Sequence, residues 1–320
     1  MRMLVTGGLG FIGSNFINYW LSHHPKDSII NIDKETYASN RNNIDYSLAA
    51  DNYEFVKGDI CDSKLVDSLV SRVDTVVNFA AESHVDNSIS KPEPFLHSNY
   101  LGVFSLLEAV RKYDVRFHQV STDEVYGSLP LGSEEKFSEN SPYNPRNPYS
   151  ATKAAADHLV LSYVNTYGVN ATISNCSNNF GPNQHPEKLI PKVILNALAG
   201  RKIPIYGDGG NIRDWIYVED HCKGIELILE KGRKGDTYLL SAENELSNKS
   251  LVKIILDLLG MNESLMEYVE DRPGHDSRYA IDPAKAESDL GWKSSIDFNE
   301  AIRKTIDFYK LLRSLPDGVR

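Results

Sequence analysis

The sequence predicts an α/β fold, a Rossmann-type doubly wound parallel sheet with a smaller mixed α/β substrate-binding domain. Three observations predict it. A glycine motif follows the first β-type run, an acidic residue ends the second run, and β-type runs alternate with helical segments through the first half of the chain. Such alternation is typical of parallel sheets covered by helices. Ligands of these sheets bind beyond the carboxyl ends of the strands, so residues there are candidate site residues.

The first element is a strand, a turn and a helix, formed by "MLVTGGLGFIGSNFINYWLSHH". Apolar residues that can share one helical face are Ile12, Phe16, Tyr19 and Trp20. Gly7, Gly10 and Gly13 have the spacing G-x-x-G-x-x-G. In a nucleotide-binding fold, one such glycine makes a tight turn, one admits a pyrophosphate, and one lets helix and strand pack closely. The helix N-terminus then faces the phosphate.

The second strand, "SIINID", ends in Asp33. A carboxylate in this region can bind an adenosine ribose, and it would repel the 2′-phosphate of NADP. The position therefore favours NAD, although Lys34 and Arg41 nearby leave NADP open. The structural alternative is that Asp33 only stabilises the turn that follows the strand.

Further strand and helix units follow in order. "YEFVKGDICD" reads as a strand that leads to Asp59 and Ile60, which could border the adenine. "VDTVVNFAA" is a buried strand, "FLHSNYLGVFSLLEAVRKY" is helical, and "RFHQVST" is another strand. The segments "AAESHVD" and "STDEVYG" then lie at the carboxyl edge of the predicted sheet.

An acid pair, Asp123 and Glu124, follows the last of these strands. Adjacent carboxylates in a loop repel each other, and such pairs are usually solvated surface. This pair instead follows Thr122 at the edge where ligands bind, so it is a candidate pair for acid–base chemistry.

Tyr149 and Lys153 begin a helix in "NPYSATKAAADHLVLSY" and are four positions apart, so they share one helical face. A phenol has an unperturbed pKa of about 10 and is a poor base at neutral pH. A nearby ammonium and a positive nicotinamide would lower that pKa, which suits proton removal from a sugar hydroxyl during hydride transfer. Y-x-x-x-K alone is a chance pattern in many helices, but here it accompanies the glycine motif and Asp33.

Composition narrows the function classes. The 320 residues carry a formal charge of −10, which disfavours nucleic acid and anionic membranes as partners but not a small anion held by local Arg and Lys. No apolar run approaches the roughly 20 residues of a membrane span, and "MRMLVTGGLG" does not resemble a signal peptide. Three widely spaced cysteines, Cys61, Cys176 and Cys222, predict neither a metal knuckle nor a disulfide framework, and indicate a cytoplasmic protein.

The motifs "TGGLGFIG", "NFAAESHVD", "STDEVYG" and "YSATK" together resemble the nucleotide-sugar branch of the extended short-chain dehydrogenase/reductases. "NCSNNFGPNQHPEKLIP", "GDGGNIRDWIYVEDHC" and "RPGHDSRYAID" are similar to segments of its 4,6-dehydratases. The resemblance runs from residue 1 to about residue 310. It implies an NAD-dependent lyase that oxidises the hexose of dTDP-glucose at C4, eliminates water across C5 and C6, and returns the hydride to C6.

The resemblance also implies roles for single residues. Glu124 would be the base for the C5 proton, and Asp123 the acid for the departing C6 hydroxyl. Asp123 must then be protonated near neutral pH, so its pKa must be raised by burial and by the charge of Glu124. Thr122 would bind the C4 oxygen, Tyr149 would take its proton, and Lys153 would bind the nicotinamide ribose and keep Tyr149 ionised.

Two sets of binding residues follow from the same resemblance. Those for NAD are Gly7, Gly10, Phe11, Ile12, Gly13, Asp33, Lys34, Thr36, Asp59, Ile60, Ala80, Ala81, Ser83, Ser98, Tyr149, Lys153 and Asn179. Those for the nucleotide sugar are Ser83, His84, Thr122, Asn178, Lys188, Leu189, Pro204, Tyr206, Arg213, Asn248, Arg272 and His275. Asp86 and Ile205 would lie beside them, and His84 could instead only order its loop. No metal is predicted at His275, because no partner cluster accompanies it.

The predicted NAD-binding Rossmann domain covers about residues 1–175. Residues 176–320 mainly form the nucleotide-sugar-binding domain, with some segments returning to the Rossmann domain. The family resemblance implies a homodimer through a four-helix bundle, built from the helices in "KPEPFLHSNYLGVFSLLEAV" and "AAADHLVLSYVNTY". The alternatives are a UDP- or CDP-sugar 4,6-dehydratase, a UDP-hexose 4-epimerase, and, in another class, a non-catalytic dinucleotide sensor.

Overall fold

A computed structural model describes residues 1–48, 52–271 and 275–314. Its strands are β1 (Arg2–Thr6), β2 (Ser28–Asp33), β3 (Tyr53–Lys57), β4 (Thr75–Asn78), β5 (Arg116–Thr122), β6 (Ala171–Cys176), β7 (Asn178–Phe180), β8 (Ile203–Tyr206), β9 (Ile212–Tyr217), β10 (Thr237–Leu240), β11 (Glu245–Ser247) and β12 (Met266–Val269). Its α-helices are α1 (Phe11–His23), α2 (Ser63–Val70), α3 (Val85–Ser90), α4 (Glu93–Leu96), α5 (Gly102–Tyr113), α6 (Pro148–Tyr167), α7 (Leu189–Leu198), α8 (Val218–Lys231), α9 (Asn248–Leu259), α10 (Ala284–Leu290) and α11 (Phe298–Ser314).

Seven strands form one sheet in the order β10-β6-β5-β4-β1-β2-β3, and every neighbouring pair is parallel. The direction of strand progression reverses between β1 and β4. At such a reversal the connections leave in opposite directions and open a crevice at the carboxyl edge, which is where ligands of these sheets bind. The predicted Rossmann-type fold is confirmed.

The two faces of this sheet belong to separate hydrophobic cores. Leu4 of β1 packs with α2, α5 and α6, whereas its neighbours Met3 and Val5 pack with α1 and α8. Alternate residues of a strand point to opposite faces, so a strand buried on both sides is apolar throughout. In α1, Phe16 and Trp20 are buried and Ile12 and Tyr19 are partly buried in the same core, which confirms the predicted apolar face.

The second half of the chain adds smaller sheets. Strands β11, β9 and β7 form one, β12 and β8 form another, and α7, α9 and α11 share a core with them. Strand β10 instead pairs with β6 in the large sheet, and α8 packs against α1. The division into two domains near residue 175 stays a prediction.

Among the described helices, none combines the length and the apolar character that crossing a membrane would require.

Candidate active site

A cavity of about 230 Å³ opens at the carboxyl edge of the large sheet. It is lined by every residue predicted to contact NAD except Asn179. The buried side chain of Asn179 is held by His221 at 2.8 Å and by the Ser177 carbonyl at 3.0 Å. Sequence reasoning gave no role to six other polar residues of the lining, because the motifs that contain most of them do not show which side chains face the cavity: Ser39, Glu82, Ser121, Gln184, His185 and Glu187.

Two glycines of the motif are required by geometry. Gly7 has φ +67°, and a Cβ there would lie 2.7 Å from the Ala80 Cα. A Cβ on Gly13 would lie 2.5 Å from the Gly7 carbonyl oxygen. The first glycine therefore permits the turn, and the second permits the close approach of helix α1 to that turn.

The carboxylate of Asp33 lines the cavity and also stabilises its own turn. One oxygen accepts from the Leu9 amide at 3.0 Å, and the other accepts from the Glu35 amide and the Ser39 hydroxyl, both at 2.8 Å. The predicted ribose contact and the turn-stabilising alternative are therefore compatible. Both are roles for a charged oxygen that can accept several hydrogen bonds.

The cations beside Asp33 are already paired with acids. Lys34 binds Asp59 at 2.7 Å, and this hydrogen bond raises the pKa of Lys34. Arg41 and Lys57 bind opposite oxygens of Glu35 at 2.6 and 2.9 Å. A 2′-phosphate would have to compete with these acids for every one of the three cations, so the local charge favours NAD over NADP.

The acid pair begins a 3₁₀ turn, Asp123–Tyr126, directly after β5. The Thr122 hydroxyl accepts from the Glu124 amide at 3.3 Å and donates to Asp123 at 3.4 Å. Asp123 is buried, and its Oδ2 has no hydrogen-bond partner among the described residues. Burial, followed by the charges of Glu124 and Asp214, raises the pKa of Asp123 well above its usual value. The chain therefore favours the protonated acid, in the direction that the sequence predicts.

Tyr149 and Lys153 are placed by the start of α6. Asn147 caps this helix through a reciprocal pair of hydrogen bonds with Ser150, and Pro148 occupies the first turn, where a missing amide hydrogen costs nothing. Both functional side chains are buried, and the Lys153 ammonium donates to the Val120 carbonyl at 2.7 Å.

The lowering of the Tyr149 pKa by Lys153 and a nicotinamide together stays a prediction, and the chain's own groups act in the opposite direction. Burial and then the charge of Glu124 raise this pKa well above 10, and a hydrogen bond with Thr122 opposes them. Burial lowers the pKa of Lys153. The sequence spacing predicts that the two residues share a helical face but carries no information on desolvation, which dominates both pKa shifts.

The predicted nucleotide-sugar set contains two arginines, and the one within the described residues is Arg213 of β9. It is buried, donates to the carbonyls of Ile212 and Asp276 at 2.7 and 2.9 Å, and lies 4.2 Å from the centre of the Tyr279 ring. Its charge lowers the pKa of Asp123 and that of Tyr279, although burial outweighs it in both. Arg213 and Tyr279 therefore belong to the surroundings of the acid pair, and Tyr279 had no predicted role.

The remaining predicted sugar-nucleotide residues fall into two groups. Ser83 and Lys188 line the cavity, and the Lys188 ammonium donates to the Ser83 carbonyl at 3.0 Å. His84 caps α3 and lies 3.8 Å from Glu187, and burial lowers its pKa. The second group lies in the smaller sheets and at the starts of the neighbouring helices. It consists of Asn178 of β7, Leu189 of α7, Pro204 and Tyr206 of β8, and Asn248 of α9.

The Asp271 carboxylate accepts a hydrogen bond from His275 Nδ1 at 2.7 Å. Among the described residues it belongs to no group of three potential metal ligands, and the absence of a metal stays a prediction. Arg272 lies outside the described residues.

The parallel sheet has a reversal point, and a glycine turn lies beside the cavity at its edge. Together with the buried pairs Thr122–Asp123 and Tyr149–Lys153, these features define a dinucleotide-binding enzyme of the Rossmann type. The family described as GDP-mannose 4,6 dehydratase matches residues 4–305, and the chain belongs to this family.

Three relatives are informative. The chain is 51% identical over 311 residues to a dTDP-glucose 4,6-dehydratase of Mycobacterium tuberculosis, which covers 97% of this chain and 93% of that protein. It is 50% identical over 310 residues to the low-salt glycan biosynthesis protein Agl12 of Haloferax volcanii, covering 97% and 98%. The crystal structure of the dTDP-glucose 4,6-dehydratase DesIV from Streptomyces venezuelae, with NAD and TYD bound, matches all of both chains with 43% identity and a TM-score of 0.95.

Proposed function

We propose that this protein is an NAD-dependent dTDP-glucose 4,6-dehydratase, which converts dTDP-glucose to dTDP-4-keto-6-deoxyglucose and water. The observation that carries the proposal is the buried Asp123, held in a field that favours its protonated form, beside Glu124 and on the same sheet edge as Tyr149 and Lys153. A simple reductase or an epimerase needs no such acid pair. The similarity to dTDP-glucose 4,6-dehydratases over 97% of the chain supports the same reaction.

The reaction begins with oxidation at C4. The Thr122 hydroxyl binds the C4 oxygen, and Tyr149 removes its proton. The cavity residues would hold NAD, which would supply the hydride acceptor for C4 and the hydride donor for C6. The positive charge of its nicotinamide would lower the pKa of Tyr149, which the chain's own groups do not. Lys153 binds the nicotinamide ribose and adds its charge to that effect.

The C4 ketone makes the C5 proton acidic enough for Glu124 to remove. Asp123 donates its proton to the departing C6 hydroxyl, which leaves as water. Glu124 then gives a proton back to C5 while C6 receives the hydride. Tyr149 has gained one proton and Asp123 has lost one, so the protein's proton count is unchanged over the cycle. The substrate therefore loses one water without net oxidation.

The proposed binding sets are those implied by the sequence. The NAD set, Asn179 included, binds the cofactor, while Asn178, Lys188, Leu189, Pro204, Tyr206, Arg213, Asn248, Arg272 and His275 bind the nucleotide sugar, with Pro204 and Tyr206 around the pyrimidine and Ser83 and His84 beside the sugar. Arginine suits this task because its planar fork gives two parallel hydrogen bonds to a phosphate. Such a basic site also explains how a chain of charge −10 can bind an anion.

The proposal is tested by mass spectrometry of dTDP-glucose, UDP-glucose and GDP-mannose after separate incubation with the protein, without and then with added NAD. We expect dTDP-glucose to lose one water. We expect kcat/KM for the UDP sugar to be about 10–200-fold lower, because one methyl group in an apolar pocket contributes about 1–3 kcal/mol.

Equal water loss from the dTDP and UDP sugars would support the dehydratase reaction but reject the assignment of thymidine as the preferred nucleoside. Preferred dehydration of GDP-mannose would move the chain to the activity in the family's description. An epimerised product of unchanged mass would favour the epimerase alternative. NAD binding without any turnover would favour the sensor.

We further propose a cytoplasmic homodimer in which α5 and α6 of each copy form a four-helix bundle. Phe104 of α5 is 46% exposed and Leu101, which directly precedes α5, is 49% exposed, although both are large and apolar. Leu96, at the end of α4, is 54% exposed. Apolar side chains grouped on one surface are typical of protein–protein interfaces.

Replacing Leu101 and Phe104 together by glutamate is expected to convert the dimer to a monomer, because the interface would then bury unpaired charges. Light scattering coupled to size exclusion measures the mass. Leu131→Glu, at a loop position 55% exposed, is the matched control and should remain dimeric. A double variant with unchanged mass would reject this interface.

A further inference from the structure

Asp157 is a buried carboxylate below the proposed active site that the proposed chemistry does not use. It lies on α6 with no exposed surface. Its Oδ2 accepts from the Ser121 hydroxyl at 2.6 Å, the Tyr143 hydroxyl at 3.2 Å and the Asn175 amide at 3.4 Å. We call these four residues the Asp157 cluster. Its Oδ1 is buried without a hydrogen-bond partner among the described residues.

A carboxylate with one unsatisfied oxygen is a costly way to fill a core, because the desolvated charge is only partly compensated. A purely structural acid would satisfy both oxygens. Asp220 of α8 does so, since one oxygen accepts from the Ser295 hydroxyl at 2.9 Å and the other from the Ser294 hydroxyl at 2.8 Å. The contrast indicates that Asp157 is placed for its charge.

The nearest use for that charge is Lys153. The two residues are four positions apart on α6 and therefore share one face of the helix. The Lys153 ammonium is buried and donates to the Val120 carbonyl, which is neutral. Asp157 is the acid whose charge favours the ammonium, and Lys153 in turn favours the carboxylate.

The Asp157 cluster also joins the segments that carry the other catalytic groups. The Asn175 amide that reaches Asp157 donates to the Thr122 carbonyl at 3.0 Å, and Ser121 directly precedes Thr122. The Tyr143 ring lies edge-on to Tyr126, 5.0 Å between centres, at the end of the acid-pair turn. One carboxylate thus ties strand β5, strand β6 and helix α6 together beneath the site.

We propose that Asp157 is a positioning residue, which keeps the buried Lys153 ammonium charged and fixes the end of β5 against α6. The inference rests on the proposed function, because it assigns Lys153 a role that requires its charge.

The pKa shifts of Asp157 and Lys153 agree with the proposed pairing of their charges. Burial raises the pKa of Asp157 to about 6, against the opposing effects of Lys153 and the Ser121 hydrogen bond. Burial lowers the pKa of Lys153, and Asp157 opposes that change. The other titratable groups that interact with the pair are Cys176 of β6, Tyr143 of the preceding loop and Tyr126 of the turn. Cys176 in turn interacts with Asp123 and Tyr149 of the site.

These two pKa shifts set the direction of the pH effect. Below about pH 6, Asp157 takes up a proton and ceases to favour the ammonium. When the carboxylate is removed by Asp157→Asn, the pKa of Lys153 falls further. Lys153 then becomes neutral at a lower pH, and the high-pH limb of kcat moves down with it.

The test measures Lys153 directly. Trace acetylation of the whole protein with acetic anhydride across a pH series, followed by peptide mass spectrometry, reads the fraction of neutral Lys153, since only the neutral amine reacts. We expect Asp157→Asn to move this midpoint and the high-pH limb of kcat down by about one pH unit, a tenfold change in the ratio of charged to neutral amine. KM should change far less than kcat.

Asp220→Asn is the matched control, because it removes an equally buried carboxylate away from Lys153, and it should move neither midpoint. Unmoved midpoints in a folded Asp157→Asn variant would overturn the inference, as would equal shifts in both variants. If Asp157→Asn does not fold, Tyr143→Phe replaces it. Losing this donor should raise the pKa of Asp157, so the low-pH limb of kcat should move up, and an unmoved limb would overturn the inference.

The acetylation midpoint needs no substrate. If the wild-type protein fails to dehydrate dTDP-glucose, the proposed function fails, while the comparison of Lys153 between wild type and Asp157→Asn still tests whether Asp157 keeps it charged.

Discussion

Replacing Asp123 by asparagine is expected to lower kcat for water loss from dTDP-glucose by about 10²–10⁴-fold, the usual contribution of a general acid. The amide has nearly the same shape but cannot protonate the C6 hydroxyl as it leaves. NAD binding should be unchanged, because Asp123 does not line the cofactor cavity. Single-turnover kinetics followed by mass spectrometry measures the water loss.

Glu124→Gln should produce a loss of similar size for a different reason, since it removes the base for the C5 proton. Exchange of C5 deuterium with solvent separates the two variants. Asp123→Asn should still exchange it, whereas Glu124→Gln should not. Near-normal turnover in both variants would refute the assignment of the acid pair.

Thermal unfolding provides the control for folding. The pKa of Asp123 is raised in the folded protein, so the folded state binds this proton more tightly than the unfolded chain does. That group therefore destabilises the protein increasingly as pH rises above its unfolded pKa. Asp123→Asn should unfold at a higher temperature than wild type at pH 8, with a smaller difference at pH 5. A lower unfolding temperature at pH 8 would mean that the activity loss reflects damage to the fold.

The second large effect is expected at the oxidation step. Tyr149→Phe removes the base for the C4 hydroxyl and should lower the rate of hydride transfer by about 10²–10⁴-fold. Lys153→Met should do the same and should also weaken NAD binding. The measurement is the absorbance of reduced nicotinamide in a single turnover with dTDP-glucose.

The acid-pair variants are the matched comparison in that experiment. Asp123→Asn and Glu124→Gln should still reduce the nicotinamide, because their step comes after oxidation, whereas Tyr149→Phe should not. If Tyr149→Phe reduces the cofactor at the wild-type rate, another group is the base at C4.

Much of the fold and of the site can be predicted from local sequence. The strand, glycine turn and helix at the start of the chain, the acid at the end of β2, and the Tyr149–Lys153 spacing each depend on neighbours only a few residues away. Local patterns of that kind report periodicity and turn chemistry directly. They predicted the Rossmann-type sheet, its glycine turn and the acid at the end of β2, while the fuller set of residues expected around the cofactor came from the family resemblance.

Other properties escaped prediction because distant segments create them. The pairing of Lys34 with Asp59, and of Arg41 and Lys57 with Glu35, requires β2, β3 and their loops to meet. Tyr279 and Arg213 reach the acid pair from the second half of the chain. Asp157 sits in an ordinary helical pattern, and nothing in that pattern indicates that its carboxylate is buried.

The sequence by itself determined the fold class, the edge of the sheet where a ligand binds, and the residue types available for acid–base chemistry, because these follow from short-range spacing. Only the tertiary structure decided the protonation tendencies of Asp123, Tyr149 and Asp157. Those depend on how far each group is removed from water and on which charges face it across the core, and burial there outweighs every neighbour that the local sequence supplies.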